Sequence, residues 1–535
     1  MGKNSTPILE VKNLAVSFNT ATGELEAVKG ISFKLYKSQT LAIIGESGSG
    51  KSVSASVIMG ILSSPPGYVK SGQVMLNNNN ILDLSHGDRR KLMGEKIAII
   101  FQDTLSHLNP VFNVGWQIAE CFRVHQRISK SEAWEKSVSL MERVRIPNPE
   151  NRAKDFPHQF SGGQRQRIMI AMALALNPDV LIADEPTTAL DVTIQAEILK
   201  LLRELREERD MSLILITHDL GIAAQNANNV IVMKEGEIVE DGSVKSVFSN
   251  PKSEYTKKLM ASLPGGRNHI NKKQKKIQSK EPILKLRSIT KAYNNVNACE
   301  NVNFELFSGE TLGLVGESGS GKTTLSNLIL KLDSPSSGDI LYRGKSVYNF
   351  NKNDLLAFRQ KVQVVFQDPY ASLNPRMNIK EIVAEPIQIH SNLTKKAESN
   401  KVIELLENVG ITPDNLYRYP HEFSGGQRQR IAIARALALE PEIIICDEAV
   451  SALDVSIQAQ VIDLLIKLRD SHSLAYLFIA HDLPVVKDLA DRVLVMKNGL
   501  IIEQGDVNQV FLNPQEYYTR QLLESSPTLD TKILK

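Results

Sequence analysis

Short runs of apolar residues alternate with longer segments of helical periodicity along the whole chain. The runs that predict buried strands lie at residues 40–44, 97–101, 180–183 and 213–216, and again at 311–315, 362–366, 443–446 and 476–479. Apolar residues spaced three and four apart predict helices between them, for example at residues 194–206 and 457–468. Strands that alternate with helices indicate an α/β fold, in which helices cover both faces of a sheet.

Each half also contains segments of a different kind. Alternating positions that run into Phe18 and Tyr293 predict a strand at the start of each half, and hairpins are predicted at residues 230–239 and 493–502. Residues 103–160 and 368–423 are largely helical in pattern. We interpret them as a helical insertion in each half.

The two halves are copies of one another. Matching positions are separated by 271 residues near the start of each copy and by 263 residues near its end, so the copies differ only by short loop insertions. We therefore predict two domains, at residues 6–264 and 282–527, joined by a linker at residues 265–281. Each domain is long enough to bury a core of its own.

The composition is that of an ordinary globular protein. The chain has 535 residues, of which 42% are hydrophobic and 23% charged, and its net charge of +3 favours no class of charged partner. No apolar run reaches the ~18 residues of a membrane span, and the first residues lack the apolar core of a signal peptide. We expect a protein that neither spans a membrane nor is secreted. The wide spacing of Cys121, Cys299 and Cys446 excludes a Cys-only zinc or iron–sulfur site and fits a reducing cytosol.

The predicted linker is strongly basic. It has no acidic residue before Glu281 and carries Arg267, Lys272, Lys273, Lys275, Lys276 and Lys280. The simplest interpretation is a solvated, self-repelling connection between the domains. Binding to anionic lipid headgroups is an alternative that a basic cluster of this size could support. Nucleic-acid binding is less favoured, because no aromatic residue lies among the lysines for base stacking.

The motif Gly-x-x-x-x-Gly-Lys-Ser/Thr follows a predicted strand in each half. The candidate nucleotide-binding residues of these phosphate loops are Gly45, Ser47, Gly48, Gly50, Lys51 and Ser52, and Gly316, Ser318, Gly319, Gly321, Lys322 and Thr323. Glycines let backbone N–H groups turn towards phosphate oxygens, the lysine reaches the β- and γ-phosphates, and the hydroxyl of Ser52 or Thr323 binds Mg²⁺. The helix that follows points its positive end at the same phosphates. Two such motifs in register predict two ATP-binding sites.

Paired carboxylates end a later strand in each half. Asp184 and Asp447 are placed to hold Mg²⁺ through water. The adjacent Glu185 and Glu448 are placed to orient and deprotonate the water that attacks the γ-phosphate. The alternative is that these acids only cap the end of a strand, but the phosphate loop upstream favours catalysis.

Two further side chains complete each candidate catalytic site. His218 and His481 follow the next buried strand, where an imidazole can bond to the γ-phosphate or to the water, although a lone histidine is more often structural. Gln102 and Gln367 follow another strand, and an amide suits contact with both Mg²⁺ and water.

A second candidate phosphate cradle precedes an arginine-rich helix in each half. Its residues are Ser161, Gly162, Gly163 and Gln164, and Ser424, Gly425, Gly426 and Gln427. A hydroxyl and backbone amides at a helix N-terminus can bind phosphate. A domain that already has one cradle gains little from another for the same phosphate. We therefore interpret each as completing the site of the other half.

The order of these motifs resembles that of the ATP-binding cassette (ABC) family, twice and over nearly the whole chain. Within this family, the chain is similar to the fused tandem ATPase subunits of dipeptide, oligopeptide, glutathione and microcin C importers. The segments that carry this closer resemblance are Phe366-Gln367-Asp368-Pro369-Tyr370-Ala371-Ser372-Leu373-Asn374-Pro375, Tyr419-Pro420-His421-Glu422-Phe423 and Ser451-Ala452-Leu453-Asp454-Val455-Ser456-Ile457-Gln458-Ala459-Gln460.

The resemblance implies two ABC-type P-loop nucleotide-binding domains in tandem, each with an antiparallel β subdomain and a helical insertion. It implies a head-to-tail sandwich, in which the phosphate loop, glutamate and histidine of each half share one ATP with the second cradle of the other half. Phe18 and Tyr293 would stack on adenine, and Asp191 and Asp454 would communicate between the halves. Phe18 stands where tyrosine is usual, which should keep the stacking but lose a hydroxyl.

These features predict the ATP-hydrolysing subunit of an ABC importer that energises uptake of peptides or peptide-like solutes. ATP and Mg²⁺ are the expected cofactors. The expected partners are two integral-membrane permease subunits, whose coupling helices the helical insertions would receive, and an extracytoplasmic solute-binding protein; nucleic acid is not expected. The resemblance implies peripheral association with the cytoplasmic face of the inner membrane.

Two alternative functions remain open from the sequence. A non-transport tandem ATPase that acts on ribosomes or DNA has the same order of motifs, but the linker here lacks the long, charged helical pattern typical of such proteins. An exporter ATPase is the other alternative, because no physical feature of the ATPase dictates the direction of transport.

Overall fold

The computed structural model describes residues 6–526, apart from residues 22, 189, 264–280, 295 and 452. The chain forms two compact units, one made by residues up to Leu190 and by Ile194–Ala261, and the other mainly by Ser262–Ser526. The two units correspond to the two copies in the sequence, while the domain boundaries at residues 264 and 282 stay a prediction. The predicted basic linker lies almost wholly outside the described residues.

The first unit combines an antiparallel sheet with a larger, mainly parallel one. Its strands are β1 (Leu9–Thr20), β2 (Gly23–Leu35), β3 (Thr40–Ile44), β4 (Gly67–Leu76), β5 (Asn79–Asn80), β6 (Ile97–Ile100), β7 (Val180–Asp184), β8 (Ser212–Thr217), β9 (Asn229–Lys234) and β10 (Glu237–Ser243). The antiparallel sheet has the order β2-β1-β4-β5, and the larger sheet has the order β10-β9-β3-β8-β7-β6. In the larger sheet only the β9–β10 pairing is antiparallel, among the strands described here.

The second unit repeats this arrangement. Its strands are β11 (Leu284–Tyr293), β12 (Val296–Leu306), β13 (Thr311–Val315), β14 (Ser337–Tyr342), β15 (Lys345–Ser346), β16 (Val362–Val365), β17 (Ile443–Asp447), β18 (Ala475–Ala480), β19 (Arg492–Lys497) and β20 (Leu500–Asp506). The antiparallel sheet has the order β12-β11-β14-β15, and the larger sheet β16-β17-β18-β13-β19-β20. Both strand orders match those of the first unit.

Helices connect the strands and form the predicted insertions. Those of the first unit are α1 (Lys51–Met59), α2 (His86–Glu95), α3 (Thr104–His107), α4 (Val114–His125), α5 (Lys130–Arg143), α6 (Pro149–Arg152), α7 (Gly162–Leu174), α8 (Val192–Glu208), α9 (Leu220–Asn226), α10 (Val244–Ser249) and α11 (Glu254–Ala261). Those of the second unit are α12 (Lys322–Ile329), α13 (Lys352–Lys361), α14 (Pro369–Ser372), α15 (Ile379–His390), α16 (Lys395–Asn408), α17 (Gly425–Leu437), α18 (Val455–His472), α19 (Leu483–Leu489), α20 (Val507–Leu512) and α21 (Tyr517–Ser525). The helical insertions are confirmed as α3–α6 and α14–α16.

The parallel strands are buried on both faces, which explains why they read as continuous apolar runs in the sequence. In β7, Val180 and Ile182 pack in a core shared with the antiparallel sheet, whereas Leu181 and Ala183 pack in a core shared with the helical insertion. β17 alternates between two cores in the same way. The sheet is therefore held between two packed layers, which fix the position of every side chain that follows a strand end.

The predicted strands agree closely with the observed ones. β3 and β13 have the predicted limits, and β6 and β16 each end one residue earlier than predicted, before Phe101 and Phe366. No helix among the described residues is long and apolar enough to cross a membrane.

Candidate nucleotide-binding and catalytic sites

Each phosphate loop connects a strand of the larger sheet to a helix. The first loop lies between β3 and α1 and the second between β13 and α12, with Gly50 and Gly321 as the N-cap residues. Their φ angles of 96° and 109° lie in the left-handed region that favours glycine. Residues 47–48 and 318–319 form the turn in the middle of each loop. The loop therefore leads directly into a helix N-terminus, as phosphate binding requires.

The first glycine of each loop permits close packing on the neighbouring strand. A Cβ atom on Gly45 would lie 2.2 Å from the carbonyl oxygen of Met233 in β9. A Cβ atom on Gly316 would lie 2.2 Å from the carbonyl oxygen of Met496 in β19. Any side chain at these positions would push the loop away from the sheet edge.

The loop lysines are buried and bonded to the loop itself. Lys51 Nζ donates hydrogen bonds to the carbonyl oxygens of Gly45 at 2.7 Å and Glu46 at 2.8 Å. Lys322 makes the corresponding bonds, both at 2.8 Å, and burial lowers its pKa. Each ammonium group is thus fixed inside the loop, where a phosphate oxygen would be its natural partner.

The hydroxyl and carboxylate predicted to hold Mg²⁺ lie together in the first unit. Ser52 Oγ donates a hydrogen bond to Asp184 Oδ1 at 3.0 Å, which joins the start of α1 to the end of β7. Burial raises the pKa of Asp184. In the second unit, burial and the charge of Glu448 raise the pKa of Asp447 to about 6. Oxygen donors of this kind, partly removed from water, suit a hard divalent cation.

Glu185 is the centre of the first candidate catalytic site. Its carboxylate accepts hydrogen bonds from Gln102 Nε2 at 2.8 Å and from Thr188 Oγ1 at 2.9 Å, and it lies 3.2 Å from His218 Nδ1. Burial opposes ionisation, but the hydrogen bonds from His218 and Thr188 and the charges of His218 and Lys51 hold the pKa of Glu185 below its usual value. The carboxylate is therefore ionised at neutral pH.

The second unit repeats this site around Glu448. Gln367 Nε2 donates to the carboxylate at 2.8 Å, His481 Nδ1 lies 3.4 Å away, and Lys322 Nζ lies 3.9 Å away. The hydrogen bond from His481 lowers the pKa of Glu448. Burial opposes protonation of His481, but the carboxylate beside it raises the pKa of the imidazole. The predicted glutamate, glutamine and histidine are thus brought together in both units.

Both glutamates have a backbone conformation that the sequence does not reveal. The φ angles of Glu185 and Glu448 are 46° and 48°. These values lie in the left-handed region, which residues other than glycine and asparagine rarely adopt. Their N–H groups are held by the carbonyl oxygens of Ile216 at 2.9 Å and Ile479 at 3.0 Å in the adjacent strands. Local strain of this kind persists only where the surrounding structure enforces it, and it clusters at active sites.

The second cradle is a preformed helix start in each unit. Ser161 Oγ accepts a hydrogen bond from the Gln164 N–H at 3.3 Å, while the Gln164 side chain accepts one from the Ser161 N–H at 3.2 Å. Ser424 and Gln427 form the same reciprocal pair at 3.3 Å and 3.0 Å. This capping box fixes the start of α7 and of α17.

The two glycines of each cradle have different steric roles. A Cβ atom on Gly163 would lie 2.5 Å from Ile194 Cγ2, and one on Gly426 would lie 2.2 Å from Ile457 Cγ2. A Cβ atom on Gly162 would come no closer than 3.5 Å to its neighbour, which is an ordinary contact. The second glycine of the pair is therefore required for packing of α7 on α8 and of α17 on α18.

The candidate adenine-stacking residues are held in different ways. Phe18 is half-buried against the core, opposite Gly67 of β4, whose added Cβ would lie 2.9 Å from the ring. Tyr293 is 47% exposed, with its hydroxyl 2.5 Å from Asp333 Oδ2 and its ring centroid 4.8 Å from Lys291 Nζ. Hydrogen bonds from Lys291 and Tyr293 hold the pKa of Asp333 at about 2, so this carboxylate stays ionised.

Sequence reasoning missed Thr188 as a member of the first site. The only available signal was its position three residues after Glu185, in the turn that follows β7. The sequence also gave no sign of the left-handed backbone at the two glutamates, because glutamate is not a residue that this conformation favours.

Each unit has a phosphate loop beside a strand end that carries paired carboxylates, and a histidine and a glutamine contact one of these carboxylates. This arrangement defines a P-loop ATPase, so the chain contains two ATPase domains. The chain belongs to the ABC transporter family, whose model matches residues 28–188 and 299–451. A second model, the C-terminal region of oligopeptide/dipeptide transporters, matches residues 239–295 and 502–535. The resemblance read from the motifs is confirmed, although this C-terminal region was not among them.

Similar proteins align with 98% of the chain. The glutathione import ATP-binding protein GsiA of Escherichia coli O6:H1 is 45% identical over 98% of this chain and 90% of its own length. The proteins of the same name from Escherichia coli K12 and Salmonella choleraesuis are each 44% identical, with the same coverage. Among solved structures, cbiO1 from Clostridium perfringens is 28% identical, covers 44% of this chain and 92% of its own, and has a TM-score of 0.41.

Proposed function

We propose that this chain powers the import of glutathione or short peptides through separate membrane permeases. The observation that carries this proposal is the similarity, over 98% of the chain, to proteins named as glutathione import ATP-binding proteins. The match to the oligopeptide/dipeptide transporter C-terminal region in both halves supports the same class of solute.

In this proposal ATP binds at both phosphate loops, with adenine against Phe18 in one site and Tyr293 in the other. The second cradle of each half also binds nucleotide phosphate. Support comes from the capping boxes at Ser161 and Ser424, which orient a helix start in each unit. The first N–H groups of a helix have no intrahelical partner. The capping box takes up the N–H of the third helical residue, so the N–H groups before it are the ones that would bind a phosphate.

The residues that would hold Mg²⁺ are Ser52, Gln102 and Asp184 in the first site, and Thr323, Gln367 and Asp447 in the second. The contact of Ser52 with Asp184 supports this assignment, because it already joins two hard oxygen donors at the loop. When bound, Mg²⁺ would neutralise charge on the β- and γ-phosphates.

Hydrolysis requires a water molecule aligned with the γ-phosphate. Glu185 and Glu448 are ionised and held by the amide N–H of Gln102 or Gln367, so each carboxylate can accept a hydrogen bond from that water and then its proton. A carboxylate with a low pKa is a weak base, so its main contribution is orientation of the water. His218 and His481, beside these carboxylates, are placed to stabilise charge as it moves.

The permeases would dock on the helical insertions. Aromatic and aliphatic side chains are exposed there, including Val111 (70%), Phe112 (40%), Tyr370 (63%) and Tyr417 (70%). Exposed apolar side chains of this kind are typical of partner surfaces. We place the protein at the cytoplasmic face of the inner membrane, bound to two permeases that receive solute from an extracytoplasmic binding protein.

The proposal is tested by reconstitution. The chain is purified together with candidate permeases and placed in proteoliposomes with ATP inside. Labelled glutathione, dipeptide or tripeptide is supplied outside, with a binding protein. We expect ATP-dependent accumulation of one of these solutes, abolished when Glu185→Gln and Glu448→Gln are combined. Efflux from preloaded vesicles, or ATPase activity stimulated by ribosomes instead of solute, would contradict import.

A further inference from the structure

The last helix described in each half of the chain contacts the phosphate loop of the same unit through a tyrosine. The backbone N–H of Glu46 donates a hydrogen bond to the Tyr255 hydroxyl, on α11, at 3.3 Å. In the second unit, the N–H of Glu317 donates to the Tyr518 hydroxyl, on α21, at 3.2 Å. The two residues of each pair are 209 and 201 positions apart in the chain. The contact forms separately in two units, which makes it a feature of the repeat rather than an accident of one loop.

The tyrosine holds the same peptide group that holds the loop lysine. The peptide that joins Gly45 to Glu46 presents its N–H to Tyr255 and its carbonyl oxygen to Lys51 Nζ, at 2.7 Å. In the second unit the corresponding carbonyl oxygen lies 2.8 Å from Lys322 Nζ. Rotation of this peptide would therefore move the ammonium group that reaches the phosphates. The tyrosine hydroxyl opposes that rotation.

The tyrosines are themselves held in place by the sheet. Lys234, at the end of β9, lies 5.5 Å from the Tyr255 ring centroid, and Lys497, at the end of β19, lies 4.5 Å from that of Tyr518. A cation at this distance is attracted by the face of an aromatic ring. Tyr518 is buried, with 5% of its surface exposed.

A carboxylate on the last strand fixes the turn before each helix. Glu240 of β10 accepts hydrogen bonds from the N–H groups of Lys252 at 2.8 Å and Ser253 at 3.1 Å. In the second unit, Glu503 of β20 accepts the corresponding bonds from residues 515 and 516, at 2.8 Å and 3.2 Å. The path from strand to helix to phosphate loop is thus a continuous series of hydrogen bonds.

We propose that Tyr255 and Tyr518 are positioning residues for ATP binding, and that through them the C-terminal region of each unit sets the shape of its phosphate loop. Both tyrosines lie in the segments matched by the oligopeptide/dipeptide transporter C-terminal region, at residues 239–295 and 502–535. The proposal gives this region a role in nucleotide affinity. It rests on the proposed binding of ATP at the phosphate loops.

The test removes only the hydroxyl groups. Tyr255→Phe, Tyr518→Phe and the double variant keep the rings, and Tyr517→Phe is a matched control because the neighbouring tyrosine is 76% exposed. We expect the double variant to raise KM for Mg-ATP about two- to tenfold, the effect of losing the neutral hydrogen bond from the loop N–H at each site. Tyr518→Phe also removes the bond between the Tyr518 hydroxyl and the Glu317 carboxylate. We expect kcat to change less than twofold, and Tyr517→Phe to leave both constants unchanged.

A second measurement reads the contact directly. Hydrogen–deuterium exchange of the peptide that contains Glu46 should quicken in Tyr255→Phe, and that of the peptide with Glu317 in Tyr518→Phe. An unchanged KM in the double variant, whether or not kcat falls, would overturn the proposal. Unchanged hydrogen–deuterium exchange of these peptides would also overturn it. A Lys51→Ala and Lys322→Ala double variant separates failure of the proposed nucleotide sites from failure of this inference alone. If it binds ATP normally, the proposed nucleotide sites fail and this inference with them; if it binds poorly while the phenylalanine variants bind normally, only this inference fails.

Discussion

The hydroxyl of Tyr293 lies 2.5 Å from a carboxylate oxygen of Asp333, and the two residues are 40 positions apart in the chain. Lys291 bonds the same carboxylate at 2.7 Å and lies over the tyrosine ring. The ring is therefore fixed in orientation although it is about half exposed. Phe18 has no hydroxyl and is held by packing instead, so the two proposed nucleotide sites differ at the face that would meet the base.

We predict that Asp333→Asn weakens nucleotide binding at the second site alone. The amide is a poorer acceptor for both Tyr293 and Lys291, so the ring loses its anchor, and the dissociation constant should rise about two- to fivefold, as for one hydrogen bond. Binding of a fluorescent ATP analogue in a Lys51→Ala background isolates this site. Because the pKa of Asp333 is about 2, lowering the pH to 5 should not reproduce the effect. The exposed Asp414→Asn serves as the control, and equal losses in both variants would contradict the prediction.

We predict that Glu185→Gln and Glu448→Gln each reduce ATPase activity severely. Glutamine has nearly the same shape but lacks the charge that orients and accepts a proton from water, and loss of a general base costs about 10²–10⁴-fold at its own site. Nucleotide binding should be retained, because the phosphate loops are unchanged. Steady-state phosphate release and equilibrium binding measure the two quantities. Near-normal turnover in either single variant would show that the two sites do not both contribute.

We predict that the shift in the pKa of His481 changes sign, from raised to lowered, when the charge of Glu448 is removed. The pKa of His481 is raised above 6.5 by the carboxylate of Glu448, against the effect of burial. In Glu448→Gln, burial and the charge of Lys322 lower the pKa and are opposed only by the weaker effect of the Asp482 charge, so the pKa should fall below 6.5. NMR titration of the imidazole, assigned with a His481→Gln variant, measures both values.

The same pair gives a pH dependence of stability with a defined sign. A raised histidine pKa stabilises the folded state below pH 6.5 and loses this effect as the pH rises through the folded value. The lowered pKa of Glu448 stabilises the folded state above pH 4.5 and loses this effect as the pH falls through its folded value. Both contributions are present together between these two pH values. A histidine pKa that stays above 6.5 in Glu448→Gln would contradict this account.

We predict that Gly163→Ala destabilises the first unit while Gly162→Ala does not. The added methyl group at position 163 meets Ile194 at 2.5 Å, and forcing a methyl group into a packed contact costs about 1–3 kcal/mol. At position 162 the nearest neighbour is 3.5 Å away, so the alanine is accommodated. Thermal unfolding of the two variants checks the difference. Equal midpoints would show that α7 and α8 separate easily at this contact.

Much of the fold was predictable because its central strands are buried on both faces. β3 and β13 were predicted with their observed limits, since the four residues that follow the first threonine of a run such as Thr40–Ile44 are all apolar. The meeting of the candidate catalytic residues in each unit was predictable because each of them lies at or just after the end of a strand of one sheet. Parallel strands present their carboxyl ends at the same edge, so side chains distant in sequence meet there.

Other features depend on the folded chain and left no pattern in the sequence. The hydrogen bond from the Glu46 N–H to the Tyr255 hydroxyl involves a backbone group. Because almost every residue carries such a group, no residue type in the sequence predicts this bond. The anchoring of Tyr293 by Asp333 joins β11 to the segment before β14, and a single aspartate in a loop has many possible partners. The packing of Gly163 on Ile194 likewise requires the angle between two helices, which periodicity alone does not give.

The left-handed backbone at Glu185 and Glu448 sets the stability of the fold against the catalytic role that we propose for these two side chains. Glycine or asparagine would adopt that conformation with less strain, so replacing either glutamate by one of them removes a local energetic penalty of about 1–3 kcal/mol while it removes the base. Substitutions that relieve the backbone strain at these two positions are then expected to abolish ATP hydrolysis. The proposed catalytic role gives a reason for a glutamate at both positions despite the strain.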